Sequence, residues 1–299
     1  RVATDASGSR AFPDLRTLAG TWSCPDHALS GASCTYVISR ADGGRSVGDF
    51  ASGNLADHVG DDDDAVRTNR RHLASALKAQ EGLAFIAASH GADVAWVTTP
   101  DTFADVDALV TDRNDIGLVA LGADCAIIGL HGHRRDGSPV LGVAHCGWKG
   151  LVEDVIGSVV AEMTNAGAEH IGAVLGPAIC GECYRVDAER HDAVRAAVSD
   201  RVAHAALVMG GQQPVHTQWS PQEQKDGGFG IDIRAGSKER LMELGIAIDG
   251  EELLQGRECT YESATWFSYR RAMAQARNGR SGRQALAVVS ATSHDADES

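Results

Sequence analysis

VALGADCAIIGLHGHRRDGSPVLGVAHCGWKG, residues Val119 to Gly150, carries the strongest pattern in the 299-residue chain. Ile116 to Leu121 and Ala126 to Leu130 are short apolar runs, rich in β-branched residues and separated at Gly122-Ala123-Asp124. Arg134-Arg135-Asp136-Gly137-Ser138 is a turn signal, and Pro139 to His145 is apolar again. The pattern predicts two strands joined by a polar hairpin loop, the first delivering Cys125 and the second His145. Gly147-Trp148-Lys149-Gly150 then opens a helix. Small residues surround both Cys125 and His145, which leaves room for a ligand against them.

Outward from this hairpin, short strands alternate with helices. Strands are expected at Cys34–Ser39, Leu83–Ala88, Val94–Val97, Asp107–Thr111, Ile171–Leu175, Ile246–Ile248 and Ala285–Val289. Helices are expected over Ala65–Lys78, Leu151–Ala166, Asp187–Val198 and Ile233–Leu244, several ended by glycine. Asp61 to Asp64 read as acidic residues at the start of the first helix, where they cap free N–H groups, rather than as a metal cluster. The segment around Gln212-Gln213 and Gly227-Gly228 reads as loop. Residues 1–32 read as an irregular extension, 33–290 as one domain and 291–299 as a frayed polar tail. A hairpin inside a mixture of short strands and helices gives the α+β class, with mixed β-sheets flanked by helices.

Composition narrows the function. A net charge of −14 argues against general nucleic-acid binding and against anionic membrane surfaces, while leaving room for a local basic pocket. No apolar run is long enough to span a bilayer, and the first residues contain no apolar signal core. Seven cysteines, an odd number, fit reduced thiols in a cytoplasmic protein better than a disulfide framework. Cys180-Gly-Glu-Cys183 is a lone C-x-x-C after Gly176-Pro177; without a second such pair it reads as a structural turn rather than a redox or zinc site.

Cys125 and His145 admit three readings. Thiolate and imidazole are zinc or copper ligands, and a set of two or three leaves an open coordination position. The same pair serves as a nucleophile and its base, because a nearby imidazolium lowers a thiol pKa. Free cysteine is also commonly an inert core residue, with the histidine a hydrogen-bonded neighbour. Asp124 either orients a ligand histidine or caps the break between the strands. His90, at a strand end in Ser89-His90-Gly91, matters only if the fold carries it to this pair.

Gly122-Ala-Asp-Cys125 and Ala144-His-Cys-Gly-Trp-Lys-Gly150 resemble the paired A-D-C and H-A-G-W-R-G motifs of the YfiH family, also called the laccase-domain or multicopper polyphenol oxidoreductase family. Its bacterial members are described as purine nucleoside phosphorylases or peptidoglycan editing factors. Ser39-Arg40 with Gly43-Gly44 and Ser46, Asn54-Leu55, His58-Val-Gly-Asp-Asp62, Asn69-Arg70 and Asp107-Ala-Leu-Val-Thr111 continue the resemblance. So do Leu175-Gly-Pro-Ala-Ile-Cys-Gly-Glu-Cys-Tyr184, Cys259-Thr260, Phe267-Ser-Tyr-Arg-Arg271 and Gly282-Arg283-Gln284, from about Tyr36 to Val289 in all.

The resemblance implies a zinc centre, alternatively a copper one, held by His90, Cys125 and His145. It implies phosphorolysis of adenosine, inosine, guanosine or methylthioadenosine, with an adenosine deaminase side activity. Purine nucleoside and phosphate are then the partners, in a monomer or small homo-oligomer. Asp124 joins the three ligands as a catalytic candidate, and Arg40 with the glycine loop after it is the expected phosphate holder. Asn54, Lys149 and Arg270 complete the expected substrate set. Ala88, Gly122, Cys146 and Lys149 depart from the family pattern around the ligands, which bears on nucleoside preference rather than on metal binding. Two competing functions are a Cys-His hydrolase that edits a peptidoglycan precursor, with Cys125 as nucleophile, and copper-dependent phenol oxidation.

Overall fold

The structure, a computed structural model, describes residues 15–23, 33–208, 228–254, 256, 258–275 and 277–291. Its strands, in chain order, are β1 Thr17–Ser23, β2 Ser33–Ser39, β3 Gly82–Ala87, β4 Val94–Trp96, β5 Thr102–Ala104, β6 Ala108–Thr111, β7 Ile116–Gly122 and β8 Ala126–His133. They continue with β9 Pro139–Cys146, β10 Glu169–Leu175, β11 Arg185–Val186, β12 Leu207–Val208, β13 Phe229–Ile231, β14 Ala247–Asp249 and β15 Gln284–Ala291. The α-helices are α1 Asp63–Leu77, α2 Trp148–Val152, α3 Val155–Asn165, α4 Ala188–Ala197, α5 Asp200–Ala206, α6 Ile233–Glu243 and α7 Tyr269–Ala274.

Two six-stranded sheets dominate, ordered β1-β2-β15-β7-β3-β5 and β14-β10-β8-β9-β6-β4. Both are mixed: β3 runs parallel to β7 and β5, and β4 to β6, while β8, β9 and β10 pair antiparallel. One buried cluster fills the space between the sheets, with Ile38, Leu118 and Leu286 from the first meeting Ile127, Leu141 and Val174 from the second. Gly129 permits this close approach, because a Cβ there would lie 2.5 Å from Leu286 Cδ2. The outer face of the first sheet buries Leu73 and Leu77 of α1, and the outer face of the second packs against α2, α3 and α6. The result is the α+β class, a pair of mixed sheets flanked by helices.

Gly122-Ala123-Asp124-Cys125 is the place where the chain leaves one sheet for the other. β7 belongs to the first sheet and β8 to the second, so Cys125 sits in the crossover rather than within a strand. The β8–β9 hairpin itself forms as expected, with Ile127 opposite His145 and Ala126 opposite Cys146.

Two further elements depart from the sequence expectation. Thr17–Ser23 is not irregular: it is a strand whose seven residues all pair with β2, because an edge strand needs only one neighbour and Thr17, Thr21 and Trp22 favour extended backbone. The rest of the expected extension, with Cys24, lies outside the described residues, as do Gln212, Gln213, Gly227 and residues 292–299. The single helix expected over Leu151–Ala166 is two helices. Asp154 adopts a left-handed conformation (φ 59°, ψ 50°), its carboxylate caps α3 at the Gly157 N–H, and Arg240 grips the same carboxylate through two nitrogens. At Asp62 the expectation holds, since its side chain accepts the Ala65 N–H and caps α1.

Candidate active site

Three ligand-bearing side chains meet where the sheet crossover faces the end of β9. His90, Cys125 and His145 bring one nitrogen, one sulfur and one nitrogen within 4.8 Å of one another. His145 is buried, and its Nδ1 lies 2.8 Å from the Leu121 carbonyl, an acceptor only. Nδ1 therefore carries the proton and donates, which leaves Nε2 with an unshared lone pair. That buried Nε2 has no hydrogen-bond partner within the protein, and it belongs to the donor set that meets Cys125 and His90. The two imidazoles stand edge to face, with ring centres 4.9 Å apart.

Burial controls the electrostatics of the trio. It pulls the His145 pKa down to about 4, with His90 adding to the effect. Burial also pushes the Cys125 thiol up to about 12, assisted by the Asp124 charge. Without a cation the pair is a neutral thiol beside a neutral imidazole, not a thiolate–imidazolium pair. An orphaned buried imidazole nitrogen, a half-buried sulfur and a second imidazole form a donor set that suits zinc or copper.

The geometry is held from below by Asp107, which sequence reasoning passed over as the first residue of a strand. Its fully buried carboxylate accepts the N–H groups of His90 at 2.7 Å and Gly91 at 2.8 Å and the Ser89 hydroxyl at 2.6 Å. These bonds hold His90 at its positive φ of 67°. Asp107 also offers its backbone carbonyl to the His145 N–H at 2.8 Å. Above the trio, Gly147 keeps the space open: a Cβ there would stand 3.2 Å from both Cys125 Sγ and His90 Cδ2.

Asp124 does not orient a histidine. Its buried carboxylate accepts the Thr260 hydroxyl at 2.6 Å and the Arg270 N–H at 2.7 Å, and its backbone carbonyl accepts the Ile179 N–H at 2.9 Å. The residue ties the crossover to two distant segments, and burial raises its carboxyl pKa.

A cavity of about 480 Å³ opens over the three ligands, within the size range of small-molecule sites. Tyr184, Trp148 and Tyr269 give it aromatic walls, and Arg190, Arg270 and Arg283 give it positive charge in a strongly acidic chain. The Arg270 guanidinium sits 5.1 Å over the Tyr184 ring and donates to the Arg185 carbonyl. Arg283 is anchored by its own N–H to Asn54 Oδ1 at 2.9 Å and by its guanidinium to the Ser281 carbonyl at 2.7 Å.

Of the expected phosphate holders, only Arg270 lines this cavity. Arg40 does not line it and is instead paired with Asp42 at 2.8 Å, just past the end of β2. Lys149 is exposed on α2, its Nζ 5.9 Å from the Trp148 ring centre. Asn54 is buried, accepts the Arg283 N–H and does not line the cavity. Arg283, Tyr184 and Arg190 were missed; the first two appeared in the sequence only as members of matched patterns, with no spacing that pointed to a role.

The family model for multi-copper polyphenol oxidoreductase laccase matches residues 35–291, most of the chain. The chain belongs to this family. Among its laccase-type relatives, a purine nucleoside phosphorylase of Streptomyces coelicolor is 36% identical over 238 residues, covering 77% of this chain and 86% of that protein. The Shigella flexneri purine nucleoside phosphorylase YfiH is 31% identical over 231 residues, covering 77% of this chain and 85% of its own length. Solved structures agree on the fold: a Bacillus licheniformis protein named YfiH superposes with a TM-score of 0.69 at 25% identity, covering 86% of this chain and 92% of that one. YlmD from Geobacillus stearothermophilus superposes with a TM-score of 0.64 at 27% identity, covering 90% of this laccase-type chain and 96% of its own.

Proposed function

We propose that this chain is a purine nucleoside phosphorylase, converting adenosine, inosine, guanosine or methylthioadenosine and phosphate to free base and ribose-1-phosphate or its 5-methylthio analogue, with adenosine deamination as a side activity. The observation that carries the proposal is one cavity that combines a His/Cys/His donor set with aromatic walls and three guanidinium groups. The names of the relatives point to the same reaction.

Phosphorolysis breaks the bond between C1′ and the purine nitrogen and forms one between C1′ and a phosphate oxygen. It requires phosphate held in line, positive charge tolerated at C1′ and a proton supplied to the departing base. Arg270 and Arg283 are the phosphate holders in this proposal, since guanidinium forks match phosphate oxygens and both line the cavity. Tyr184 stays protonated, because burial pushes its hydroxyl up to about 12, so it donates a hydrogen bond to a purine nitrogen. Trp148 and Tyr269 offer faces for the base. His90, Cys125 and His145 would hold a zinc-class ion, which supplies Lewis acidity. His145 Nδ1 keeps its proton on the Leu121 carbonyl, so the proton that reaches the base does not come from that nitrogen.

The metal-free hydrolase alternative needs an activated thiolate, and burial works against one at Cys125. Phenol oxidation through a copper relay needs further histidine-rich sites. Among the described residues, the other group of candidate ligands is Cys180, Cys183, Cys259 and Glu262, which contains no histidine.

Incubation of purified protein with inosine and phosphate, with and without chelator, tests the proposal. Ribose-1-phosphate and hypoxanthine are expected, both lost with chelator and in Cys125→Ala. Free base formed without phosphate would replace phosphorolysis by hydrolysis, and full turnover in Cys125→Ala would remove the site assignment.

A further inference from the structure

The lone C-x-x-C pair is not alone in three dimensions. After β10 the chain reaches Ala178, which bridges to Cys259 in parallel: the Ala178 N–H meets the Glu258 carbonyl at 3.0 Å and the Thr260 N–H meets the Ala178 carbonyl at 3.1 Å. The next residues form a tight turn, with the Cys183 and Tyr184 N–H groups donating to the Cys180 carbonyl at 3.1 and 2.8 Å. This turn sets Cys180 and Cys183 against Cys259, which arrives from 79 residues away. Glu262, one turn further along, closes the group, and the four donor atoms lie within 4.8 Å of one another.

We propose that Cys180, Cys183, Cys259 and Glu262 bind a second metal ion, a thiophilic divalent cation of the zinc class, in a structural site separate from His90, Cys125 and His145. The spacing of the pair is that of zinc-binding knuckles, and three sulfurs with one carboxylate make a four-coordinate set with no open position. Zinc bonds of about 2.3 Å to sulfur and about 2.0 Å to oxygen place tetrahedral S and O ligands roughly 3.5 Å apart. Cys183 Sγ and Glu262 Oε1 stand at 3.5 Å. The Cys180 N–H already points at Cys259 Sγ, at 3.5 Å, as backbone amides do toward metal-bound thiolates. All three are free thiols, so each gives its proton to solvent as the ion binds.

The location gives the site its purpose. Cys183 precedes Tyr184, a wall of the cavity, and Cys259 precedes Thr260, whose hydroxyl holds Asp124 next to Cys125. An ion at the cysteines fastens both segments at once and braces the cavity from behind. The Arg271 guanidinium, bonded to the carbonyls of Thr260 and Tyr261 at 2.5 and 2.9 Å, places positive charge beside the anionic cluster.

The full chain carrying His90→Ala and Cys125→Ala, purified under reducing conditions, stripped of metal and titrated with cobalt(II), tests the proposal. One bound cobalt with intense thiolate charge-transfer absorption and tetrahedral visible bands is expected. Zinc should displace it, and three fewer thiols should react than in the stripped protein. Absence of binding, cobalt without thiolate bands, or a disulfide among the three cysteines under these conditions would overturn it. Cys259→Ser should abolish the spectrum. Should that variant fail to fold, the exposed Glu262→Gln change should weaken cobalt binding at least roughly tenfold; unchanged affinity would overturn the four-ligand assignment.

Discussion

Asp107, just before β6 in the second sheet, fixes His90: its carboxylate accepts the His90 N–H at 2.7 Å, while the same residue's carbonyl accepts the His145 N–H. One residue thus registers two ligands on different elements. Asp107→Asn keeps the volume but turns an amide donor toward the Gly91 N–H and the Ser89 hydroxyl. Metal affinity should fall about 10- to 100-fold, as for other lost supports of metal ligands. Stability should fall by about 1–3 kcal/mol. Competition with a chromophoric chelator and a denaturant titration read the two effects separately; unaltered metal affinity would dismiss Asp107 as a support.

Gly147 has an ordinary extended backbone (φ −89°, ψ −174°), so alanine costs nothing there conformationally. Only space is at issue, since the added methyl would meet Cys125 Sγ and the His90 ring at 3.2 Å. Gly147→Ala should therefore lower metal affinity by roughly tenfold or more while shifting the thermal midpoint little. A variant that binds metal as the parent does would show that the ligands need no such clearance.

The arginines separate by location. Arg283→Gln removes a cavity guanidinium and should raise the phosphate KM about 10- to 100-fold, the worth of a charge-assisted bond. Arg40→Gln should leave that KM within about twofold, since Arg40 pairs with Asp42 outside the cavity. Steady-state kinetics at saturating nucleoside decide the matter, and an Arg40 variant with the larger effect would reverse the assignment.

Acid should destabilise the fold through His131, on β8. Burial and the neighbouring His133 pull its pKa from 6.5 to about 4. The unfolded chain takes up a proton near pH 6.5 that the folded chain refuses until about pH 4. The His131 contribution to stability is then full above pH 6.5, declines across this window and levels off below it, by up to about 3 kcal/mol, and His145 adds a parallel loss. His131→Gln should flatten the decline in denaturant titrations at pH 7 and pH 4.5; an equal slope in both proteins would assign it to other groups.

Much of this was legible in sequence because it is local. Hydrophobic runs and turn residues marked the β8–β9 hairpin, and the residue types at 125 and 145 marked a candidate pair that the structure brings within reach of each other and of His90. What escaped depends on distant partners. The helix break at Asp154 is fixed by Arg240, 86 residues on, and no local propensity announces it. The change of sheet at Gly122–Cys125 is invisible to periodicity, since both flanking strands are equally apolar. Arg40 beside a glycine loop looked like an anion cradle, whereas the cavity draws its cations from Arg190, Arg270 and Arg283. The lone C-x-x-C suggested a simple turn, because Cys259 is a neighbour only in the folded chain.

β15 sits in the interior of its sheet, between β2 and β7, although it follows every other described strand, and Arg283 is the residue just before it. On the ribosome, Cys125 and His145 emerge long before the strand that fills this slot. A growing chain therefore carries His90, Cys125 and His145 on an unfinished sheet and gains the cavity-lining Arg283 in the same step that closes the gap. Completion of the sheet and of the cavity lining coincide, so a nascent or truncated chain lacking this strand has the His90, Cys125 and His145 side chains without Arg283 beside them.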